Sequence, residues 1–225
     1  MSALTTRMLV LGAVQIFGPA NGYQLRRELL SWDVERWAHV NPGSIYSMLT
    51  TLEKQGAIER HDVVIDDARP VAVYTVTKAG DDEFERMVYE ALATVPDSGD
   101  ALPLRVAMNF GATQTRERFL EAIDSRAEIL AAGVEEFVAK LDELVDPPVV
   151  PPHVISELHL EVELMRAQLH WVIGLQSEVR AGGLLFSDDA GHGSAWTPPD
   201  DDPGWRMADE RAKYQAAIAA QRQRP

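Results

Sequence analysis

"NPGSIYSMLTTLEKQGAIER", residues 41–60, decides the fold, because a whole helix and both of its ends can be read from it. Asn41 is a good N-cap, Pro42 suits the first helical position where an N–H has no partner, and Gly56 can end the helix. Between them Ile45, Leu49 and Leu52 recur at i, i+4 and i+7 with Met48 beside them, the apolar stripe of a helix packed on a core. The opposite face holds Gly43, Ser44, Ser47, Thr50, Thr51 and Lys54. Solvated helix faces are usually built from Glu, Lys, Arg and Gln, whereas Ser and Thr compete for backbone bonds and favour helix less. Short hydroxyl side chains allow close approach and offer donor and acceptor together, as contacts to phosphates and base edges in a DNA major groove require. A plainly solvated face is the alternative reading of this stripe.

Working outward, residues 4–17 read as an apolar helix stopped by Gly18-Pro19. In "ANGYQLRRELL" Asn21 and Gln24 form a capping-box pattern, Leu25 and Leu29 mark a core stripe, and Arg26 and Arg27 are expected to point outward. Downstream of Gly56, "AIERHDVVIDDARPVAVYTVT" is β-branched and alternating, with Val71, Val73 and Thr75 on one side, Ala72, Tyr74 and Val76 on the other, and a turn at Asp66-Asp67-Ala68. Thr77 then caps a further helix. Three helices followed by a hairpin make a winged helix-turn-helix, whose third helix enters the major groove.

"GPANGYQLRRELL", "PGSIYSMLTTLEKQGAIER" and "VYTVTKAG" resemble, in order and spacing, the signature blocks of the PadR family of transcriptional regulators. The resemblance spans residues 4 to about 92. It implies a head that binds double-stranded operator DNA, a helical C-terminal dimerisation region, repression of target promoters, and release by a small-molecule effector. By resemblance the DNA-facing positions are Tyr23, Gly43, Ser44, Tyr46, Ser47 and Thr50, with Arg69 the candidate in the wing. Tyr46 follows the core residue Ile45 and has packing within the head as its alternative. Many members carry several basic residues in the second strand of the wing, but "ARPVAVY" has Arg69 alone, with two aspartates nearby. Arg69 as a solvated turn charge is the matching alternative.

A net charge of −14 over 225 residues opposes a nucleic-acid partner if taken whole, since Lys and Arg at phosphates supply most of such affinity. The distribution matters more: residues 1–60 carry six basic groups against five acids, and residues 93–182 seven against fifteen. An acidic body behind a near-neutral head is compatible with DNA binding through the head. No basic-then-apolar leader or long apolar run is present and there is no cysteine, so the expected setting is cytoplasmic, without membrane or disulfides.

Beyond residue 93, Phe119, Ile123, Ala127, Leu130, Val134, Phe137, Leu141 and Leu144 form a seam at three- and four-residue steps. "DPPVVPP" breaks it, and Ile155, Leu158, Val162, Met165, Leu169 and Val172 form the matching seam of a second long helix. Leu160, Leu164, Ala167, Trp171 and Leu175 add a second stripe that one partner helix cannot cover, so a homodimer is expected. The head of the same chain is the alternative cover. Leu164, Ala167, Trp171 and Leu175 are also the candidate pocket for a small aromatic effector, with plain interface packing of Trp171 as its alternative.

No Glu is followed three residues later by His, and no HExxH, P-loop or GxSxG occurs, so no enzyme, metal site or cofactor is expected. The expectation is a mainly α chain: a winged helix-turn-helix at 1–92, a long-helix hairpin for dimerisation at 93–182, and a loose acidic Gly/Pro linker with a terminal helix at 183–225. The rival function is a winged-helix protein-interaction module that does not bind DNA, favoured by the acidic wing tip.

Overall fold

The computed structural model describes residues 3–65, 69–96, 99–145, 150–189 and 204–222. They divide into two compact units, Met1–Val88 with Gly193–Pro225 and Tyr89–His192. The chain is mainly helical with one small sheet, the winged-helix class expected.

The first unit is built around α1 (Ala3–Phe17), where Met8 to Leu11, Ala13 and Val14 are all buried, so it is enclosed nearly all round. β1 (Ala20–Asn21) leads into α2 (Gly22–Ser31), whose capping box is complete: Gln24 N donates to Asn21 Oδ1 at 3.0 Å and Asn21 N to Gln24 Oε1 at 2.8 Å. Arg26 and Arg27, expected to point outward, are half-buried, and Arg27 pairs with the buried Glu28 at 2.9 Å. The short α3 (Val34–Trp37) and α4 (Pro42–Lys54) follow, then the hairpin of β2 (Ile58–Val63) and β3 (Val71–Val76), then α5 (Lys78–Ala93). The sheet order is β1-β3-β2, antiparallel throughout, with Ile58 opposite Val76 and Asn21 opposite Val73. The expected turn at 66–68 lies outside the described residues. β1 and α3 escape sequence reading because two residues show no period and one turn shows no stripe.

Thr77 ties the unit together. Its hydroxyl donates to the carbonyls of Gly56 (2.7 Å) and Ala57 (3.1 Å), its N–H donates to Ala57 O, and Gly80 N donates to the Thr77 Oγ1 that caps α5. A Cβ on Gly80 would sit 1.9 Å from Ala57 O, so only glycine lets α5 start this close to β2.

The second unit contains the end of α5, α6 (Leu102–Met108), a 3-10 turn at Gly111–Thr113, α7 (Arg116–Val145) and α8 (Pro152–Arg180). The two long helices run antiparallel: Arg116 donates to Val179 O at 2.6 Å, and Gln176 and Arg180 both donate to Asp124. Of the expected seam, Phe119, Ile123, Leu130 and Leu141 of α7 and Val162 and Val172 of α8 are buried, and the rest are half-buried. Arg126 joins the core, 1% exposed, with its guanidinium donating to the carbonyls of Ala91, Leu92 and Thr94 at the end of α5. Burial lowers its pKa from the ordinary arginine value. The proline-rich break at 146–149 lies outside the described residues.

The first residues of the segment expected to be a loose linker are held in place, and residues 190–203 lie outside the described residues. Phe186 packs on Phe119 in a tilted arrangement with ring centroids 5.1 Å apart, and Arg116 donates to Leu184 O and to Asp189, so residues 183–189 are held against α7. The terminal helix α9 (Gly204–Arg222) groups with the first unit and not with the helical hairpin.

Gly80→Ala should destabilise the first unit by about 2 kcal/mol, the scale of a backbone clash in a packed site. Urea unfolding followed by circular dichroism checks it, and an unchanged midpoint would show that α5 can withdraw from Ala57.

Candidate nucleic-acid interface

The third long helix of the head, α4, starts as its sequence dictates. Asn41 is extended (φ −87°, ψ 161°), its side chain accepts from Ser44 N at 2.9 Å, and Pro42 occupies the first turn. Gly56 follows the helix at φ +73°. Ile45, Leu49 and Leu52 are buried to within 1%, which fixes the rotation of α4 about its axis. That rotation leaves Gly43, Tyr46, Ser47, Thr50, Thr51 and Lys54 exposed on one side, with Ser44 half-buried at its edge.

Three of the hydroxyls on this face are engaged within α4. Ser44 Oγ donates to Asn41 O (2.7 Å), Thr50 Oγ1 to Tyr46 O (3.2 Å) and Thr51 Oγ1 to Ser47 O (2.9 Å). Their lone pairs therefore face outward as acceptors, suited to the amino groups of cytosine and adenine. A phosphate contact requires the hydroxyl to rotate.

Tyr46 is both packed within the head and open to solvent. A Cβ on Gly22 would lie 3.0 Å from its ring, so the ring rests on the first turn of α2, while the residue remains 44% exposed. Tyr23, one position further along α2, is 61% exposed. Tyr23, Gly43, Ser44, Tyr46, Ser47 and Thr50 thus come from the two helices of one motif. Arg69 is separate: it is exposed just before β3, at the end of the hairpin where Val63 pairs with Val71, beside Glu210, Lys213 and Tyr214 of α9.

Two residues absent from the sequence expectation flank α4. Tyr74 is half-buried on β3, and burial raises its hydroxyl pKa while the nearby Arg60 guanidinium opposes that rise. Glu53, Asp62 and Tyr46 also act on it, which places Tyr74 and Arg60 on the α4 side of the hairpin. Arg60 pairs with Asp62 at 2.9 Å in solvent. The strand period was the signal that could have found them, since Arg60 and Tyr74 are directly opposed in the register.

In the second unit, Leu164, Ala167 and Trp171 line an apolar cavity of about 570 Å³ with Leu104, Arg105 and Met108 of α6. Leu175 does not line it, being buried between helices. Trp171 keeps 41% of its surface exposed.

Residues 10–86 match the family described as transcriptional regulator PadR-like. The chain carries a PadR-like domain. This is a family of non-enzymatic transcriptional regulators, and the PadR-like match spans α1 from Val10 through the α4 face and the hairpin into α5. Similar solved structures include Bacillus subtilis PadR in complex with operator DNA (16% identity, 77% of this chain and 98% of that chain, TM-score 0.35). Others are the PadR-like regulator BC1756 from Bacillus cereus (20%, 79% and 99%, TM-score 0.33) and Bacillus subtilis PadR in complex with p-coumaric acid (15%, 80% and 98%, TM-score 0.31). No curated protein matches the chain. Among the described residues no helix is long and apolar enough to cross a membrane, and no group of His, Asp and Glu is placed to hold a metal ion.

Asn41→Ala should cost about 1 kcal/mol of stability, and Asn41→Asp should retain most of it, because the cap fixes where α4 begins. Thermal unfolding of the two variants checks this, and equal losses would remove the cap from the account of α4.

Proposed function

We propose that this chain is a homodimeric repressor that binds operator DNA through α4 and leaves it when a small planar ligand binds the second unit. The observation that carries the reading is the PadR-like α4: a fully buried Ile45–Leu49–Leu52 stripe backs an exposed row of Gly43, Tyr46, Ser47 and Thr50. Such a row suits the major groove, because small side chains admit the helix and hydroxyls and aromatic edges read bases. Tyr23, Ser44 and Arg69 are the remaining proposed contacts.

Dimerisation is supported by α8, on which Leu160, Leu164, Trp171 and Ile173 are all more than two-fifths exposed. Apolar surface left in water costs roughly 25 cal/mol per Å², and a second copy of the same helix is the simplest cover. Two heads on one dimer imply half-sites about one helical turn or a multiple apart. The cavity between α6 and α8 supports ligand release: Trp171 offers a stacking face, Leu104, Met108 and Leu164 offer apolar walls, and Arg105 offers a cation at the rim. A planar aromatic ligand, including one with a carboxylate, has the matching chemistry. It displaces DNA to the extent that it prefers one arrangement of the dimer over another.

The protein-interaction reading retains one specific support, the inward commitment of the Ser44, Thr50 and Thr51 hydroxyls. Selection of bound fragments from random duplexes separates the two, with light scattering on the same sample giving the oligomeric state. Ser44→Ala with Thr50→Ala should weaken binding to the selected site about tenfold or more while changing stability by less than about 0.5 kcal/mol. Failure to enrich any sequence would leave the interaction module as the better account.

Titration with phenolic acids and planar apolar compounds should quench the fluorescence of Trp171 and release bound duplex. Trp171→Phe should abolish the quench. If no compound alters either signal, the cavity is a packing feature of α6 and α8 and the ligand part of the proposal fails.

A further inference from the structure

We propose that the second unit holds a ligand site for an aliphatic amine, in a cavity between α7 and α8 where the Glu161 carboxylate stands without a partner among the described residues. The site is separate from the Trp171 cavity and does not depend on DNA binding.

The space measures about 390 Å³, within the range of roughly 300–1,000 Å³ usual for small-molecule sites. Its walls are apolar, with Ile129 and Phe137 from α7 facing Leu164 and Met165 from α8. The seam of the two long helices is therefore open at this level, and Ile129 is left 44% exposed for an apolar ligand body to cover. Gly133 makes the room. Glycine disfavours a helix interior, yet it stands in the middle of the 30-residue α7, where a side chain would project into the cavity. Even a Cβ there would lie 3.3 Å from Met165 Sδ.

Two polar side chains line this apolar space, Glu161 and Gln168, seven residues apart on α8 and so on the same side of the helix. Both are half-buried, and neither side chain has a hydrogen bond or an ion pair among the described residues. Arg166 on the same helix pairs with Glu163 at 2.7 Å instead, and Lys140 lies over the Phe137 ring, 5.9 Å from its centroid. A carboxylate partly removed from water and left unpaired carries a cost that a ligand ammonium would remove, and the Gln168 amide offers a further acceptor. A ligand carboxylate would meet like charge at Glu161. Charge thus selects the head of the ligand, and the aliphatic walls select its body. Leu164 and Gln168 line the Trp171 cavity as well, so the two spaces are neighbours and have to be told apart by experiment.

Isothermal titration calorimetry of the full chain with octylamine, octanol and octanoate varies the head while keeping the body. Octylamine should bind about tenfold more tightly than octanol, and octanoate more weakly than either. Glu161→Gln should bring octylamine down to the affinity of octanol, Gly133→Leu should abolish its binding by filling the cavity, and Trp171→Phe should leave its binding unchanged. Circular dichroism establishes whether the helices of Gly133→Leu form, and the nearly isosteric Glu161→Gln decides the matter if they do not. Octanoate binding as tightly as octylamine, or full octylamine affinity in Glu161→Gln, would overturn the proposal. Loss of octylamine binding in Trp171→Phe would assign the amine to the neighbouring cavity and overturn it as well. A failure of phenolic acids to release duplex would refute the effector reading of the Trp171 cavity and leave these results standing.

Discussion

The hydroxyl of Thr77 joins three elements that have to agree for the head to work. It closes the base of the hairpin by donating to Gly56 and Ala57, and through Gly80 N it caps α5. Gly56 and Ala57 are also where α4 stops and β2 starts. The end of α4, the direction of the hairpin and the start of α5 are therefore set around one oxygen atom, and Gly80 permits the close approach by lacking a Cβ. A change at this junction moves the candidate reading helix and the wing together, which is why two residues far from the exposed α4 row bear on its placement.

The hairpin shows the same dependence from its other side. A two-stranded hairpin is marginal in water and needs a packed face, and this one has two. On one side Tyr74 and Arg60 lie within electrostatic range of Tyr46 and Glu53, while on the opposite side Val63 and Val73 are closed by Tyr214 and Ile218. A strand apolar on both faces belongs in the middle of a layered structure. β3 is central in its sheet, with β1 on one edge and β2 on the other, and the helices supply the outer layers.

What was legible in the sequence was local. Asn41, Pro42 and Gly56 delimit α4 because caps act within one turn, and Asn21 with Gln24 mark α2 for the same reason. The Ile45–Leu49–Leu52 stripe gave the rotation of α4, and with it the row of candidate contacts. Features held by distant partners were not legible. Arg126 sits among seam positions but reads as a surface charge until the carbonyls ending α5 are seen to surround it. Phe186 belonged to a segment read as loose, and its partner Phe119 is far away in sequence. The apolar residues of α9, Tyr214 and Ile218, are diluted by alanines, so they form only a weak stripe in the sequence. The stronger clue was in β3, where Val71 and Val73 alternate with Ala72, Tyr74 and Val76 and neither side is polar enough to face water.

The acidity of the chain bears on the proposed DNA binding through where its charges lie. Residues 204–225 contribute +3 to a total of −14, so everything else sums to −17. Counterion release depends on the cations that reach phosphates, not on the sum over the molecule, and charges further away than about 10 Å are screened at ordinary salt. α9 packs on the hairpin, where Arg222 lies 3.5 Å from Glu59 and Lys213 lines the same small cavity as Arg69. The acids on α7 and α8 act differently. Acidic surfaces of this kind disfavour non-specific adhesion to nucleic acid, which on the proposed reading would leave α4 and the hairpin as the points of contact.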